Sequence, residues 1–366
     1  MIRKIFLAAV LFCGFLSAKA QSDSVQTETP SGPVITGSID TYFRYNFNDP
    51  KSGNTNNYTS FTNSQNSFEL GMASVKAEHT IGKVSATVDL GFGRRAEEFS
   101  YGDPEFSSLF GVKQAYVSYA PSDKVKFTMG KWATHVGYEL ADAYLNRNYS
   151  MSYMFSYGPF SHTGLKVDFG LGEKSGLMFG IANTTDVVAN AGPRRFALAQ
   201  FSTATTDDKV AAYLNFQGSY GGSYNLTQFD LVLTAAVTDQ FSVGYNGTVQ
   251  SSKPEFGKDG FGENSWWGSA LYLNVDPTEK FGITLRGEYF HNENGVSSAP
   301  ASNIFDLTLS PNFKIGNLTI IPELRLDAAK TITDPLTGSP IVIFEKSDGT
   351  SVKSTVTGIL AATYHF

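Results

Sequence analysis

The 366-residue sequence contains one cysteine, Cys13, five histidines and only 17% charged side chains. A single cysteine excludes a disulfide framework and any metal or iron–sulfur centre built on several thiolates. The histidines, at 79, 135, 162, 291 and 365, stand far apart, and no two share a metal-ligand spacing. A net charge of −6 has the wrong sign for a nucleic-acid binder. With 41% hydrophobic and 14% aromatic residues the chain is not broadly disordered. Beyond the first twenty residues no apolar run is long enough for a transmembrane helix, since stretches such as 210–229 are broken by Asn, Gln and Gly. Yet a soluble protein usually carries about 25% charged residues. The low charge therefore points to a surface that does not face water.

Catalytic signatures are also missing. There is no GxSxG and no HExxH. Gly91-Phe92-Gly93-Arg94-Arg95-Ala96 fits a dinucleotide-type GxGxxA after a strand-like run, but no apolar helix pattern follows it. Gly170–Ser175 reads as the end of a strand running into a turn. Neither an enzyme nor a bound cofactor is expected. A barrel enzyme with a rim histidine has no spacing to support it.

What is present begins with an export signal. Arg3 and Lys4 precede the apolar run Ile5–Leu16, and Ala18-Lys19-Ala20 fits a small-x-small cleavage site. Cleavage after Ala20 would remove Cys13 together with Arg3, Lys4 and Lys19, taking the net charge from −6 to −9. Residues 21–33 form a short polar leader with two prolines, too short for a plug domain.

From Val34 onward the period is two. Val84, Ala86, Val88, Leu90 and Phe92 alternate with Ser85, Thr87, Asp89 and Gly91. Phe241, Val243, Tyr245 and Val249 alternate with Ser242, Gly244, Asn246 and Gln250. Alternation gives each strand one apolar and one polar face. The clearest runs reach the roughly 9–11 residues that a tilted membrane-spanning strand needs. Sixteen segments are expected, near 34–47, 66–80, 83–95, 110–120, 124–133, 161–171, 176–184, 195–204, 209–217, 225–237, 240–251, 265–275, 280–291, 303–311, 317–330 and 353–366. The phase is ambiguous in 66–80, 110–120 and 195–204. Short turns such as Ile81-Gly82, Pro121–Asp123 and Asp276–Glu279 alternate with longer connections at 48–65, 96–109, 134–160, 185–194, 218–224, 252–264, 292–302 and 331–352. The expected fold is all-β, a transmembrane antiparallel barrel of about sixteen strands with short periplasmic turns and long extracellular loops. Its domain plan is a signal at 1–20, a leader at 21–33 and one barrel over 34–366. In lipid every backbone polar group must be paired, so a closed barrel is the only β solution.

The chain ends Leu360-Ala361-Ala362-Thr363-Tyr364-His365-Phe366. Leu360, Ala362, Tyr364 and Phe366 share one face, and Tyr364 with Phe366 resembles the terminal signal read by the barrel-assembly machinery. The block Gly130-Lys131-Trp132-Ala133-Thr134-His135-Val136-Gly137-Tyr138-Glu139, continuing through Asn146–Ser150 and Gly158–Gly164, resembles the OmpL-like β-barrel porins of Gram-negative outer membranes, Bacteroidetes included. The resemblance spans about 34–366. It implies passive, porin-like transport and assigns no pore residue.

Loop 134–160 is the longest and the third on its side. By analogy with trimeric porins it would enter the lumen, with Glu139 and Asp142 opposing Arg147 and the nearby Lys131 as a constriction. The other reading is a solvated surface loop. Lumen-wall charges are expected at Asp40, Arg44, Asp89, Lys126, Lys166, Asp168, Arg286, Glu288, Glu323, Arg325 and Asp327. Mixed signs imply weak selectivity, and the acidic excess a mild cation preference. The expected function is a porin for small hydrophilic solutes or ions in the outer membrane. The alternative is a non-conducting structural or adhesive barrel acting through loops such as 48–65 and 331–352. Expected partners are outer-membrane lipid, the assembly machinery and a homotrimer, with Trp132, Trp266 and Trp267 available for girdles or subunit contacts.

Overall fold

The computed structural model describes residues 32–366 apart from 52–53, 104–107, 190–191, 193, 221–223, 255–263, 293–301 and 334–339. The expected export signal and nearly all of the leader lie outside the described residues.

Sixteen strands of the described chain close into one antiparallel barrel. They are β1 (Val34–Asn46), β2 (Ser67–Ile81), β3 (Val84–Phe92), β4 (Val112–Ser122), β5 (Val125–Ala133), β6 (Ser161–Gly170), β7 (Ser175–Ala182), β8 (Arg195–Ala204), β9 (Val210–Tyr220), β10 (Tyr224–Ala236), β11 (Phe241–Pro254), β12 (Asn264–Thr278), β13 (Phe281–Asn292), β14 (Ser302–Ile315), β15 (Leu318–Ala329) and β16 (Ser354–His365). Each strand pairs with its sequence neighbour, and β16 closes on β1 with Leu360 opposite Phe43 and Tyr364 opposite Ile39. No described helix is long and apolar enough to cross a membrane, which says nothing of crossing by strands.

The alternation is realised as two faces. Around the barrel the outward positions are exposed and apolar, among them Ile39, Val88, Met129, Leu214, Val249 and Leu360. The intervening positions are polar and buried, as in β14, where Asp306, Thr308 and Ser310 have no exposure. A barrel that is apolar outside and polar inside inverts the soluble pattern, and lipid requires that inversion.

The segments of ambiguous phase have local causes. The β1–β2 register shifts between Asp40 and Thr41, the β3–β4 register between Asp89 and Leu90, and the β4–β5 register between Tyr119 and Ser122. An extra residue at such a bulge breaks the period of two. In β8 the inner face carries Phe196 and Leu198, so apolar residues stand on both faces.

The long connections carry small elements of their own. Two short hairpins pair Ile332–Thr333 with Pro340–Ile341 and Phe344–Glu345 with Ser351–Val352. A six-residue helix, α1 (Arg94–Phe99), follows Gly93. It is short and carries Arg94, Arg95, Glu97 and Glu98, so it is not the long apolar helix that a nucleotide fold would place after the GxGxxA run. Trp132 and Trp266 are buried at 5% and 1% exposure, whereas Trp267 is 43% exposed. Of the three tryptophans only Trp267 is placed for a girdle or a subunit contact.

Candidate functional site

Loop 134–160 does not lie on the surface. Its base is tied by Thr134 N–H donating to Phe160 C=O at 2.9 Å, continuing the β5–β6 ladder. From there it runs down the inside of the barrel. Tyr144 stacks on His365 with ring centroids 4.9 Å apart, and Arg147 makes a two-pronged ion pair with Asp276 at 2.7 and 2.8 Å. His365 and Asp276 both lie at the short-turn ends of their strands, so the loop reaches almost the full depth of the lumen. It returns through a short helix, α2 (Tyr153–Tyr157), capped by the Ser152 hydroxyl accepting from Phe155 N–H at 3.1 Å.

A backbone placed in a barrel lumen leaves many N–H and C=O groups to satisfy. Wall carboxylates take the donors. Glu323 accepts from Tyr149 N–H and Ser150 N–H at 2.7 and 3.0 Å, and Glu288 accepts from Tyr153 N–H and Met154 N–H at 2.7 and 2.8 Å. Wall guanidiniums serve the acceptors. Arg286 donates to Ser150 C=O and Arg325 to Met151 C=O, both at 2.7 Å, and Arg95 of α1 donates to Ala141 C=O at 3.2 Å. Arg286 and Arg325 share Asp306 between them at 3.0 and 2.9 Å, and Arg325 also holds Asp327 at 2.8 Å.

The four residues expected at a constriction are all engaged, but not with one another. Glu139 pairs with Arg286 at 2.7 Å, Asp142 with Lys113 at 2.6 Å, Arg147 with Asp276, and Lys131 with Asp103 at 3.3 Å. The geometry therefore differs from acids and bases facing across a gap: each charge is neutralised locally. Lys113, Asp103, Asp276 and Asp306 were not singled out in the sequence. Lys113 sits at the β3–β4 bulge, which masked its facing, and Asp306 alternates with Leu307 as any inward residue would.

The remaining expected wall charges divide into two groups. Asp40 meets Tyr149 Oη at 3.2 Å and Arg95 Nε at 3.5 Å, and Arg44 reaches the Thr55 carbonyl at 2.9 Å, so both hold loops. Asp89 pairs with Lys113 at 3.1 Å. Lys166 and Asp168, 3.5 Å apart, keep 11% and 15% side-chain exposure, and Lys126 is likewise partly exposed. Water thus reaches the β5–β6 wall while the β13–β15 wall is sealed against the loop.

At the opposite rim four connections meet. Asp186 takes Phe160 N–H and Ser161 N–H at 2.7 Å each and Tyr101 Oη–H at 3.1 Å. Burial pushes its carboxyl up to about 7 against these hydrogen bonds, which lower it. Phe61, Phe99, Met151, Phe155 and Phe160 pack beneath this junction. Burying each such side chain is worth about 1.5–3 kcal/mol. The structure brings His135 and His162 to a centroid distance of 5.2 Å, a neighbourhood their spacing did not signal. Burial pushes the His135 pKa down to about 4, so this imidazole is neutral at physiological pH. No cluster of three or more potential metal ligands occurs among the described residues.

An apolar exterior, a polar lumen and a loop threaded through it define a transmembrane barrel of the outer-membrane porin class. Residues 34–366 match the family model described as "Putative beta-barrel porin-2, OmpL-like", and the chain belongs to that family. Among solved structures it resembles the outer membrane channel DcaP of Acinetobacter baumannii, at 11% identity and a TM-score of 0.59 over 91% of this chain and 97% of that one. It also resembles OprB of Pseudomonas putida, at 11% identity and a TM-score of 0.56 over 92% and 94%. A third is OmpT of Vibrio cholerae, at 11% identity and a TM-score of 0.55 over 91% and 97%. At such identities the likeness is one of fold. No curated protein matches the sequence.

Proposed function

We propose that the protein is an outer-membrane porin, exported through a signal cleaved after Ala20, that lets small hydrophilic solutes or ions diffuse through its lumen. Loop 134–160 is the constriction. The observation that carries this reading is the loop's course: it enters the barrel, reaches the short-turn end and is bonded to walls on opposite sides through Lys113 and Arg286. A loop held that way narrows a lumen to a small, chemically defined passage.

Planar-bilayer recording of refolded protein tests it. Steady openings of nanosiemens scale are expected, and a silent barrel overturns the proposal. One observation favours the alternative of a closed, structural or adhesive barrel: Arg286, Asp306 and Thr308 on the inner wall have no exposure at all. Absence of conductance together with surface binding through loops 48–65 or 331–352 would establish that second reading.

A further inference from the structure

Two spaces open along one wall of the lumen, on either side of a thin strap of the loop. The first, with room for about one water molecule, is lined by Val136, Gly137, Gln228, Asp230, Asn246 and Thr248, among others. The second, somewhat larger, is lined by Tyr138, Glu139, Arg147, Tyr272, Asn274 and Thr284, among others. The β11–β12 register orders them along the barrel. Thr248 and Asn246 stand opposite Gly268 and Ala270, while Tyr272 and Asn274 follow toward the short-turn end of β12. The spaces therefore succeed each other from the loop side to the turn side, and the strap 136–139 contributes to both.

The strap is thin at one point. Gly137 has φ +96°, a conformation that favours glycine, and a Cβ there would meet only Asn246 Oδ1, at 4.0 Å. Beside it Tyr138 stacks on Tyr272 with centroids 4.1 Å apart. The charges along this wall are unequal in their compensation. Glu139 is cancelled by Arg286 and Arg147 by Asp276, at 2.7 Å each. Asp230 accepts only from neutral groups: Gly137 N–H at 3.0 Å, Asn215 Nδ2 at 2.7 Å and Asn246 Nδ2 at 2.5 Å. Among the described residues no Lys or Arg pairs with it.

We propose that the conducting lane runs along the β10–β13 wall through these two spaces, that the Gly137–Tyr138 strap is its barrier, and that Asp230 makes it selective for small cations. This inference rests on the porin reading above and names the path and solute charge for it. A lone carboxylate at a narrow, low-dielectric passage concentrates cations and repels anions. The amides of Gln228, Asn246 and Asn274 and the hydroxyls of Thr248 and Thr284 supply neutral partners along the way.

The test is thiol block of full-length single-cysteine variants in planar bilayers. Cys13 is the only native cysteine, so Cys13→Ser gives a clean background. Thr248→Cys and Thr284→Cys place a thiol in each space, and Thr128→Cys places one on the β5 wall. A cationic methanethiosulfonate is expected to block the first two and spare the third, reacting about tenfold faster than its anionic analogue because Asp230 attracts it. Asp230→Asn is expected to lower the cation-to-anion permeability ratio about threefold, one elementary charge having left the passage. Conductance blocked through Thr128→Cys but not through the other two overturns the lane and leaves the porin reading standing. Block as expected with an unchanged permeability ratio overturns the role of Asp230. A silent unmodified barrel removes the porin reading and the lane together.

Discussion

Glu139→Ala measures what holds the loop inside the barrel. The Glu139 carboxylate accepts from Arg286 Nη1 and Ser152 N–H at 2.7 Å each and from Tyr272 Oη–H at 3.2 Å, and its side chain is only 3% exposed. Alanine removes all three bonds and leaves the Ser152 N–H and part of the Arg286 guanidinium unsatisfied. Breaking a buried ion pair from one side costs about 3–5 kcal/mol. Arg286 keeps Asp306 at 3.0 Å, so the loss falls near the lower end, at about 3 kcal/mol. At about 1.4 kcal/mol per decade that weakens loop docking roughly 100-fold. Hydrogen exchange of the refolded protein reads this directly. Amides of 150–155 are expected to exchange about 100-fold faster, while β3 and β4 keep their protection. The barrel itself has no reason to melt, since its ladder bonds are untouched. Acceleration of less than about tenfold, or 1.4 kcal/mol, refutes the claim that lumen charge fastens the loop.

Other outcomes follow from the same structure. The docked Asp186 carboxyl titrates at about 7, against an ordinary value of 3.8. The docked junction thus binds more protons than the undocked one: docking is strongest below about pH 4 and weakens as pH rises to about 7. Asp186→Asn is expected to flatten that dependence when exchange at Phe160, Ser161 and Val188 is followed across pH. Deleting Phe366 removes its N–H and C=O bonds to Gly37, both 3.0 Å, and the ring that lies where a Cβ on Gly37 would be, 2.6 Å away. Slower assembly into the heat-modifiable barrel is expected on semi-native gels, and an unchanged rate counts against Tyr364 and Phe366 as the assembly signal. Arg147→Ala breaks a pair that is 24% and 30% exposed, and its effect on 147–149 exchange is expected to stay under about tenfold, because partly solvated pairs contribute about 1 kcal/mol or less.

The barrel was legible because lipid and lumen impose opposite demands on successive residues, and that contrast survives in runs such as 84–92 and 241–250. All sixteen expected segments correspond to strands, with ends displaced by at most a few residues. Where the pattern blurred, a bulge or a two-sided apolar strand was responsible, as at Asp40, Asp89 and Phe196. The site was less readable. That Glu139, Asp142 and Arg147 belong to a loop followed from the sequence, but their partners did not. Lys113, Arg286 and Asp276 lie on strands β4, β13 and β12, and no local pattern encodes contacts that distant. The charges at Glu288, Glu323 and Arg325 looked like pore lining because they alternate inward. Their bonds to loop N–H and C=O groups exist only once the loop has descended among them.

That descent has a consequence for how the chain can be built. Glu139 finds Arg286 147 positions later, and Met151 finds Arg325 174 positions later. A barrel assembled strand by strand from its N-terminal end offers the loop Asp40, Arg95 and Lys113 early, but Arg286, Glu288, Glu323 and Arg325 only late. Until β13–β16 arrive, four loop N–H groups and a set of wall carboxylates and guanidiniums must be kept wet. Sealing β16 to β1 and drying the lumen therefore belong to one late event. A variant that weakens the grip of Arg286 or Glu323 will show itself first in the tempo of biogenesis, before it shows in the finished barrel.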